Sequence, residues 1–274
     1  MQYDLFSQTK YKFFSLGSGS SGNCYYLGTA QYGILIDAGV GIRSITKTLR
    51  EYGISMEKIA GVLITHDHAD HVKTVGCLGD KHNIPIYATE AVHEGITRSR
   101  YVDAKLLTSR RVIEKEATFA IKDFEVTAFE VPHDSIENVG YHIQFEGQTL
   151  VLLTDIGRIT DTVRHYASKA NHLIIESNYD DEMLQNGRYP YFLKQRISSG
   201  MGHLSNRISG EFIASIYHQH LKNIWLCHLS QDNNHPEIAY RTVEQALSVS
   251  GICAGKDVHL EALSRFKASG LKEF

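Results

Sequence analysis

Short apolar runs, many of them β-branched and bounded by turn residues, alternate along this chain with stretches of helical period. Residues 11–16 and 24–27 read as strands on either side of a glycine- and serine-rich loop, and 32–36 reads as a third strand. In 42–52, Ile42, Ile45 and Leu49 share one helical face, and the run Gly61-Val62-Leu63-Ile64 reads as a buried strand. Residues 72–82 and 90–100 read as helices around a short strand at 85–87, which makes a β-α-β-α alternation. From 112 to 131 the period becomes two, with Phe124, Val126, Ala128 and Glu130 on one face, and strands 141–145 and 149–153 pair across Glu146-Gly147-Gln148. Beyond them come a helix at 158–170, a strand at 172–175, an irregular stretch at 179–202, a helix at 207–218, a strand at 224–227, a helix at Pro236–Val249 and a last strand at 258–263. No linker, repeat or low-complexity tract interrupts the series, so a single domain over 1–274 is expected.

Five of these strands run into an ionisable residue: Asp37, His66, His133, Asp155 and His228. Strand ends of an α/β fold converge on one edge, so residues far apart in sequence are expected to share a site. The densest stretch is Thr65 to His71, reading THDHADH, in which His66, His68, Asp70 and His71 are ligand types and Asp67 is a spare carboxylate. Imidazole and carboxylate together suit zinc, manganese or iron. Asp37, at its own strand end, either caps the next turn or orients a ligand histidine from behind.

Composition narrows the setting. Hydrophobic residues are 42% and charged residues 22%, as in a protein with a substantial core, and a formal charge of −3 argues against a uniformly basic nucleic-acid binder. The four cysteines lie in apolar runs without a C-x-x-C pair, which suggests reduced, buried thiols. With no secretory pattern in the first fourteen residues and no apolar run long enough to span a bilayer, a cytoplasmic protein without membrane contact is expected.

The H-x-H-x-D-H spacing resembles the signature of the metallo-β-lactamase superfamily. That resemblance implies an α/β protein built as an αββα sandwich, with His66, His68 and His133 on one ion, Asp70, His71 and His228 on a second, and Asp155 between them. His68, where redox di-iron members carry glutamate, resembles the hydrolytic members. Paired ions of this kind, about 3.5–4 Å apart, activate water and stabilise charge on the attacked group. Glu176-Ser177-Asn178, Gly202-His203-Leu204-Ser205-Asn206 and the run from His228 to Asn234 follow the order of the phosphodiesterase branch, which includes the tRNA 3′-processing endonucleases. There a glutamate orients a histidine that helps the leaving oxygen depart, and Glu176 and His203 are the matching positions. The long tRNA-gripping arm of those endonucleases has no counterpart.

The chain is most similar in its motifs to the WalJ/YycJ family of bacterial exonucleases: GSGSSGN, THDHADH, PHD, TDIG, ESNYDDEML, GRYP, GHLSN and HLSQDNN. Membership implies 5′-to-3′ degradation of double-stranded DNA by two divalent ions, manganese favoured and zinc or iron the alternatives. With 73 positions between Asp155 and His228, no β-CASP insertion is expected.

Three further assignments follow. Asp67 is expected to orient the attacking water, with His203, held by Glu176, at the leaving oxygen. Ser18, Ser20, Ser21, Gly22 and Asn23, completed by Asn178 and Asn206, are expected to receive a terminal 5′-phosphate, backbone N–H groups contributing most. Arg188, Lys194 and Arg196 lie between two site motifs and suit a nucleic-acid groove. A small-molecule hydrolase of the glyoxalase II or lactonase kind shares the histidine motif but needs no Glu176–His203 pair, and a non-catalytic scaffold has no use for Asp67.

Overall fold

The computed structural model describes residues 11–274, and among them two seven-stranded sheets face each other. The strands are β1 (Lys12–Gly17), β2 (Cys24–Gly28), β3 (Gly33–Ile36), β4 (Ile59–Leu63), β5 (Ile86–Ala88), β6 (Arg110–Val112), β7 (Thr118–Ile121), β8 (Phe124–Glu130), β9 (Val139–Phe145), β10 (Gln148–Leu153), β11 (His172–Glu176), β12 (Asn223–Cys227), β13 (His259–Ala262) and β14 (Lys272–Glu273). The first sheet has the order β14-β1-β2-β3-β4-β5-β6 and the second β13-β12-β11-β10-β9-β8-β7. The helices are α1 (Ile42–Glu51), α2 (Ala69–Val72), α3 (Glu90–Arg98), α4 (Asp161–Ala167), α5 (Asp181–Asn186), α6 (Tyr191–Ser198), α7 (Asn206–Ile216) and α8 (Pro236–Val249).

Strand parity divides the apolar residues among three layers. On β10, Leu150 and Leu152 enter the core between the sheets, while Val151 and Leu153 face the helices outside. Phe13, Tyr25 and Ile34 of the first sheet meet Phe124, Tyr141 and Trp225 of the second in that central layer. Ile45 and Leu49 of α1 and Val92 and Ile96 of α3 cover the first sheet, and Val163, Ile213 and Val243 of α4, α7 and α8 cover the second. The result is the expected αββα sandwich. Among the described residues, no helix is long and apolar enough to cross a membrane. The first ten residues, part of the stretch read for a secretory signal, lie outside the described residues.

Strand direction positions the site. β3 and β4 are parallel, as are β10, β11 and β12, and β8 runs antiparallel to β9, which runs antiparallel to β10. The carboxyl ends of β8, β10, β11 and β12 therefore lie at one edge of the second sheet. Asp37, Asp155 and His228, which follow β3, β10 and β12, share a left-handed backbone with φ of 60°, 51° and 53°. For non-glycine residues this conformation costs about 1–2 kcal/mol each, and such costs concentrate where function fixes the backbone.

Three expectations need correction, and one strand was not foreseen. The helix foreseen over 72–82 is α2 followed by a π-turn at Cys77–Lys81, because the helical ladder is diverted. The Asp70 and His71 carbonyls accept from Asn23 and Ala38, and Thr74 N–H donates to Ala38 instead of completing the turn. The irregular stretch at 179–202 contains α5 and α6, which bury one residue, Leu184, and none respectively, too little to leave a periodic pattern. Glu130 shares parity with Phe124 but emerges at the rim, where Lys115 Nζ lies 3.3 Å away. β14, two polar residues paired to β1, carried no apolar signal.

Candidate metal centre

Seven ligand-type side chains meet at this edge. Suitable atoms of His66, His68 and His133 lie within 4.8 Å of one another, as do those of Asp70, His71 and His228, and those of His66, His71 and Asp155. Asp155 reaches both groups: its Oδ2 is 3.1 Å from His71 Nε2 and its Oδ1 is 3.6 Å from His133 Nε2.

The imidazoles are held from behind. Asp37, completely buried, places Oδ2 2.8 Å from His71 Nδ1 and accepts from the Thr65 amide and hydroxyl through Oδ1. Of its two foreseen roles it takes the orienting one, since α1 has no side-chain cap at its N-terminus. Thr65 extends the chain of contacts. With its hydroxyl hydrogen given to Asp37, its oxygen accepts from His66 Nδ1 at 3.0 Å. His133 Nδ1 donates to the Gly202 carbonyl at 3.0 Å. His66 Nε2 and His133 Nε2 are then left buried without a hydrogen-bond partner, their lone pairs directed elsewhere. The sequence held the signal for Thr65, which opens the THDHADH stretch, but assigned it no role.

Glu176 is the other anchor. Fully buried, it turns Oε1 to His203 Nδ1 at 2.9 Å and to His228 Nδ1 at 2.8 Å, while Oε2 accepts from the Ile156 and Leu204 amides. His203 retains 21% of its side chain exposed and is the open member of the group.

Charge follows from this packing. Among the described residues no lysine or arginine pairs with Asp37, Asp70, Asp155 or Glu176. Burial raises the Asp70 carboxyl, but the neighbouring His71 and His228 outweigh it and hold it well below the usual carboxylate range. Burial lowers His203, and the Glu176 carboxylate more than restores it, so the imidazolium is favoured. Burial, reinforced by His71, pushes His66 well down and keeps it neutral, as ligation requires. Buried carboxylates whose only basic partners are histidines, with no lysine or arginine beside them, form an acidic cluster that suits cationic charge. Together with the orphaned Nε2 atoms, this donor set fits divalent metal ions of the zinc, manganese or iron type.

Other foreseen residues lie elsewhere. Asp67 turns away from the ligands. It sits between His66 and His68, and its carboxylate lies against Gly95 of α3. A Cβ on Gly95 would come within 2.4 Å of Asp67 Oδ2, and Asp67 Oδ1 has no hydrogen-bond partner. No ion pair or hydrogen bond joins Asp67 to a ligand histidine, so the geometry does not support its role as orienter of water.

In the glycine-serine loop, Ser18 is buried between Tyr25 Oη and the His228 amide, and Asn23 Nδ2 lies 3.0 Å from His71 Nε2 and 3.3 Å from Asp70 Oδ2. Asn178 Nδ2 donates to the His228 carbonyl at 2.8 Å, and Asn206 bonds Ser177 and Asn234. These four residues build the floor of the site, and their polar groups are engaged there except Asn178 Oδ1, an acceptor that offers a phosphate nothing. Gly22 packs on Gly39, where a Cβ would meet a carbonyl oxygen at 2.5 Å, so it too is needed by the fold itself. Ser20 and Ser21 alone of this set are exposed.

Residues 32–224 match the family model of the beta-lactamase superfamily domain. The chain is 34% identical over 267 residues to Exodeoxyribonuclease WalJ of Streptococcus pneumoniae, covering 97% of this chain and 99% of that protein. It is 35% identical over 244 residues to Exodeoxyribonuclease YycJ of Bacillus anthracis, covering 88% and 90%. Among solved structures, the metallo-beta-lactamase fold protein YhfI from Bacillus subtilis matches with a TM-score of 0.69 over 97% of this chain and 100% of that one. At 18% identity, that likeness concerns the fold.

Proposed function

This chain belongs to the β-lactamase superfamily and, within it, to the family of the WalJ and YycJ exodeoxyribonucleases, and from that premise we propose a metal-dependent exodeoxyribonuclease acting 5′ to 3′ on double-stranded DNA. On the chain's own geometry, the observation that carries the reading is Glu176, one buried carboxylate holding both His203 and the candidate ligand His228. A thioester or lactone hydrolase needs no such pair; a phosphodiesterase needs a proton at the departing oxygen.

His66, His68 and His133 would hold one divalent ion and Asp70, His71 and His228 a second, with Asp155 within reach of both groups. Metal ions held there would supply Lewis-acid chemistry, polarisation of a phosphoryl oxygen and a lowered pKa of water. The chain's own residues do the rest. Asp37 and Thr65 fix the tautomers of His71 and His66, and Glu176 keeps the proton on His203 Nδ1. His203 stabilises the scissile phosphate and delivers a proton to the leaving oxygen. Manganese is the favoured ion. Ser20, Ser21 and the backbone of their loop receive the 5′-phosphate, a role reduced from the larger set expected of the sequence.

Competing substrates test this function. The manganese-loaded protein is expected to hydrolyse duplex DNA and bis(p-nitrophenyl) phosphate while leaving a glutathione thioester and a homoserine lactone intact. Turnover of the thioester or lactone with DNA untouched contradicts it.

A further inference from the structure

α6 is built with its largest apolar side chains on the wrong face for a helix that serves only the core. Leu193 and Ile197, at i and i+4, are half-buried and form its inner stripe, whereas Tyr191 and Phe192 are 77% and 72% exposed. A surface helix normally turns its aromatics inward, and two adjacent exposed rings mark a contact surface.

The helix is not loose. Lys194 Nζ donates to the Gln185 carbonyl at 2.7 Å, Arg196 Nε reaches Asp134 Oδ2 at 2.5 Å, and the Ile197 carbonyl accepts from the His203 amide at 2.8 Å. Its carboxyl-terminal end is thus bonded to the residue after Gly202, whose carbonyl holds His133. At 1.5 Å per residue, Phe192 stands about 7.5 Å along the helix axis from Ile197, roughly two stacked base steps of 3.4 Å.

Charge points to the occupant. Residues 187–202 carry Arg188, Lys194 and Arg196 and no acidic side chain, in a chain whose formal charge is −3. Arg188 is exposed and has no ion pair or hydrogen bond among the described residues. Exposed aromatics near one free cation, Arg188, adjoining a phosphodiesterase site, match a single-strand or frayed-end platform, on which bases stack while a cation meets the backbone.

We infer that Tyr191 and Phe192, with Arg188, form a stacking platform that grips the nucleic-acid strand next to the scissile phosphate. This rests on the nuclease reading and names the residues that recognise its polymeric substrate.

The test compares wild type with Tyr191→Ala/Phe192→Ala on 5′-phosphorylated duplex DNA and on bis(p-nitrophenyl) phosphate, which has no neighbouring nucleotides to lay on the platform. The double variant is expected to raise KM for DNA by about tenfold or more, with kcat/KM for the small diester and the melting temperature unchanged. Tyr191→Phe/Phe192→Trp should restore the DNA KM, and Phe192→Leu should not, because stacking requires a ring. Arg188→Ala should make DNA KM less sensitive to salt. An unchanged DNA KM in the double alanine variant overturns the platform, and so does a wild-type dimer that the variant converts to monomer without a change in KM. If wild type hydrolyses the small diester but leaves DNA intact, the nuclease reading itself fails.

Discussion

Glu176 and His203 meet across 27 positions of sequence, with Oε1 2.9 Å from Nδ1. The same oxygen lies 2.8 Å from His228 Nδ1, so one carboxylate couples the proton donor to a metal ligand. Glu176→Gln offers an N–H or a weaker acceptor to both rings and should reduce both activity and metal affinity, by about 10–100-fold as for other residues that support ligands. His203→Ala leaves the candidate ligands in place, and kcat should fall by about 10²–10⁴-fold at full metal content. Metal analysis beside steady-state kinetics separates the two. A Glu176→Gln protein with normal metal affinity and normal turnover would remove Glu176 from the mechanism.

Asp67 lies against Gly95 and not among the ligands, so Asp67→Ala should cost less than His203→Ala, at most about tenfold in kcat against a general acid–base loss of 10²–10⁴. Equal losses in the two variants, with metal retained, would return Asp67 to the proton path.

The loop at 18–23 needs a different test from bulk at Gly22. Gly22→Val collides with Gly39 and should lower the melting temperature whether or not a phosphate binds there. Ser20→Ala/Ser21→Ala leaves the buried framework untouched. It should narrow the preference for a 5′-phosphorylated over a 5′-hydroxyl duplex by about tenfold or more, since hydrogen bonds to a charged group contribute about 1.5–3 kcal/mol each. A wild type that degrades both duplexes equally would leave the loop as a turn.

Far from the metals, His172 is buried between Gln148 and Asn223, its Nε2–H donating to Gln148 Oε1 and its Nδ1 accepting from Asn223. Burial pushes its pKa down to about 4. The unfolded chain then binds the extra proton first. Its contribution is fully present above the unfolded value near 6.5 and is lost as pH falls towards 4, about 2 kcal/mol between pH 7.5 and pH 5. Urea unfolding of wild type and His172→Gln at the two pH values checks this: the variant should be less stable at pH 7.5 but lose less on acidification. Parallel losses would contradict it.

Much of this architecture was legible because strand parity and strand ends write themselves into sequence. Leu150 and Leu152 against Val151 and Leu153, and the ionisable residues after β3, β8, β10 and β12, needed only periodicity and the rule of converging strand ends. What escaped was decided by contacts between distant segments. The ladder of α2 is broken by Ala38 and Asn23, which nothing near Thr74 announces. Asp67 looked spare beside two ligands, but its carboxylate lies against Gly95 of α3. Ser18, Asn23, Asn178 and Asn206 had the polar groups of a phosphate nest, but burial commits Ser18 to Tyr25 and the His228 amide, Asn23 to His71, Asn178 to the His228 carbonyl and Asn206 to Asn234.

The most direct measurement is digestion of a duplex labelled at the 5′ or the 3′ end, by protein stripped of metal and then resupplied with manganese. With manganese the 5′ label should leave at once as a mononucleotide while the 3′-labelled strand shortens progressively. EDTA should stop both, and His66→Ala and His228→Ala should each lose bound metal and activity together. Mononucleotide release from the 3′ end first, internal cuts, or digestion that survives EDTA would contradict a two-metal 5′-to-3′ exodeoxyribonuclease.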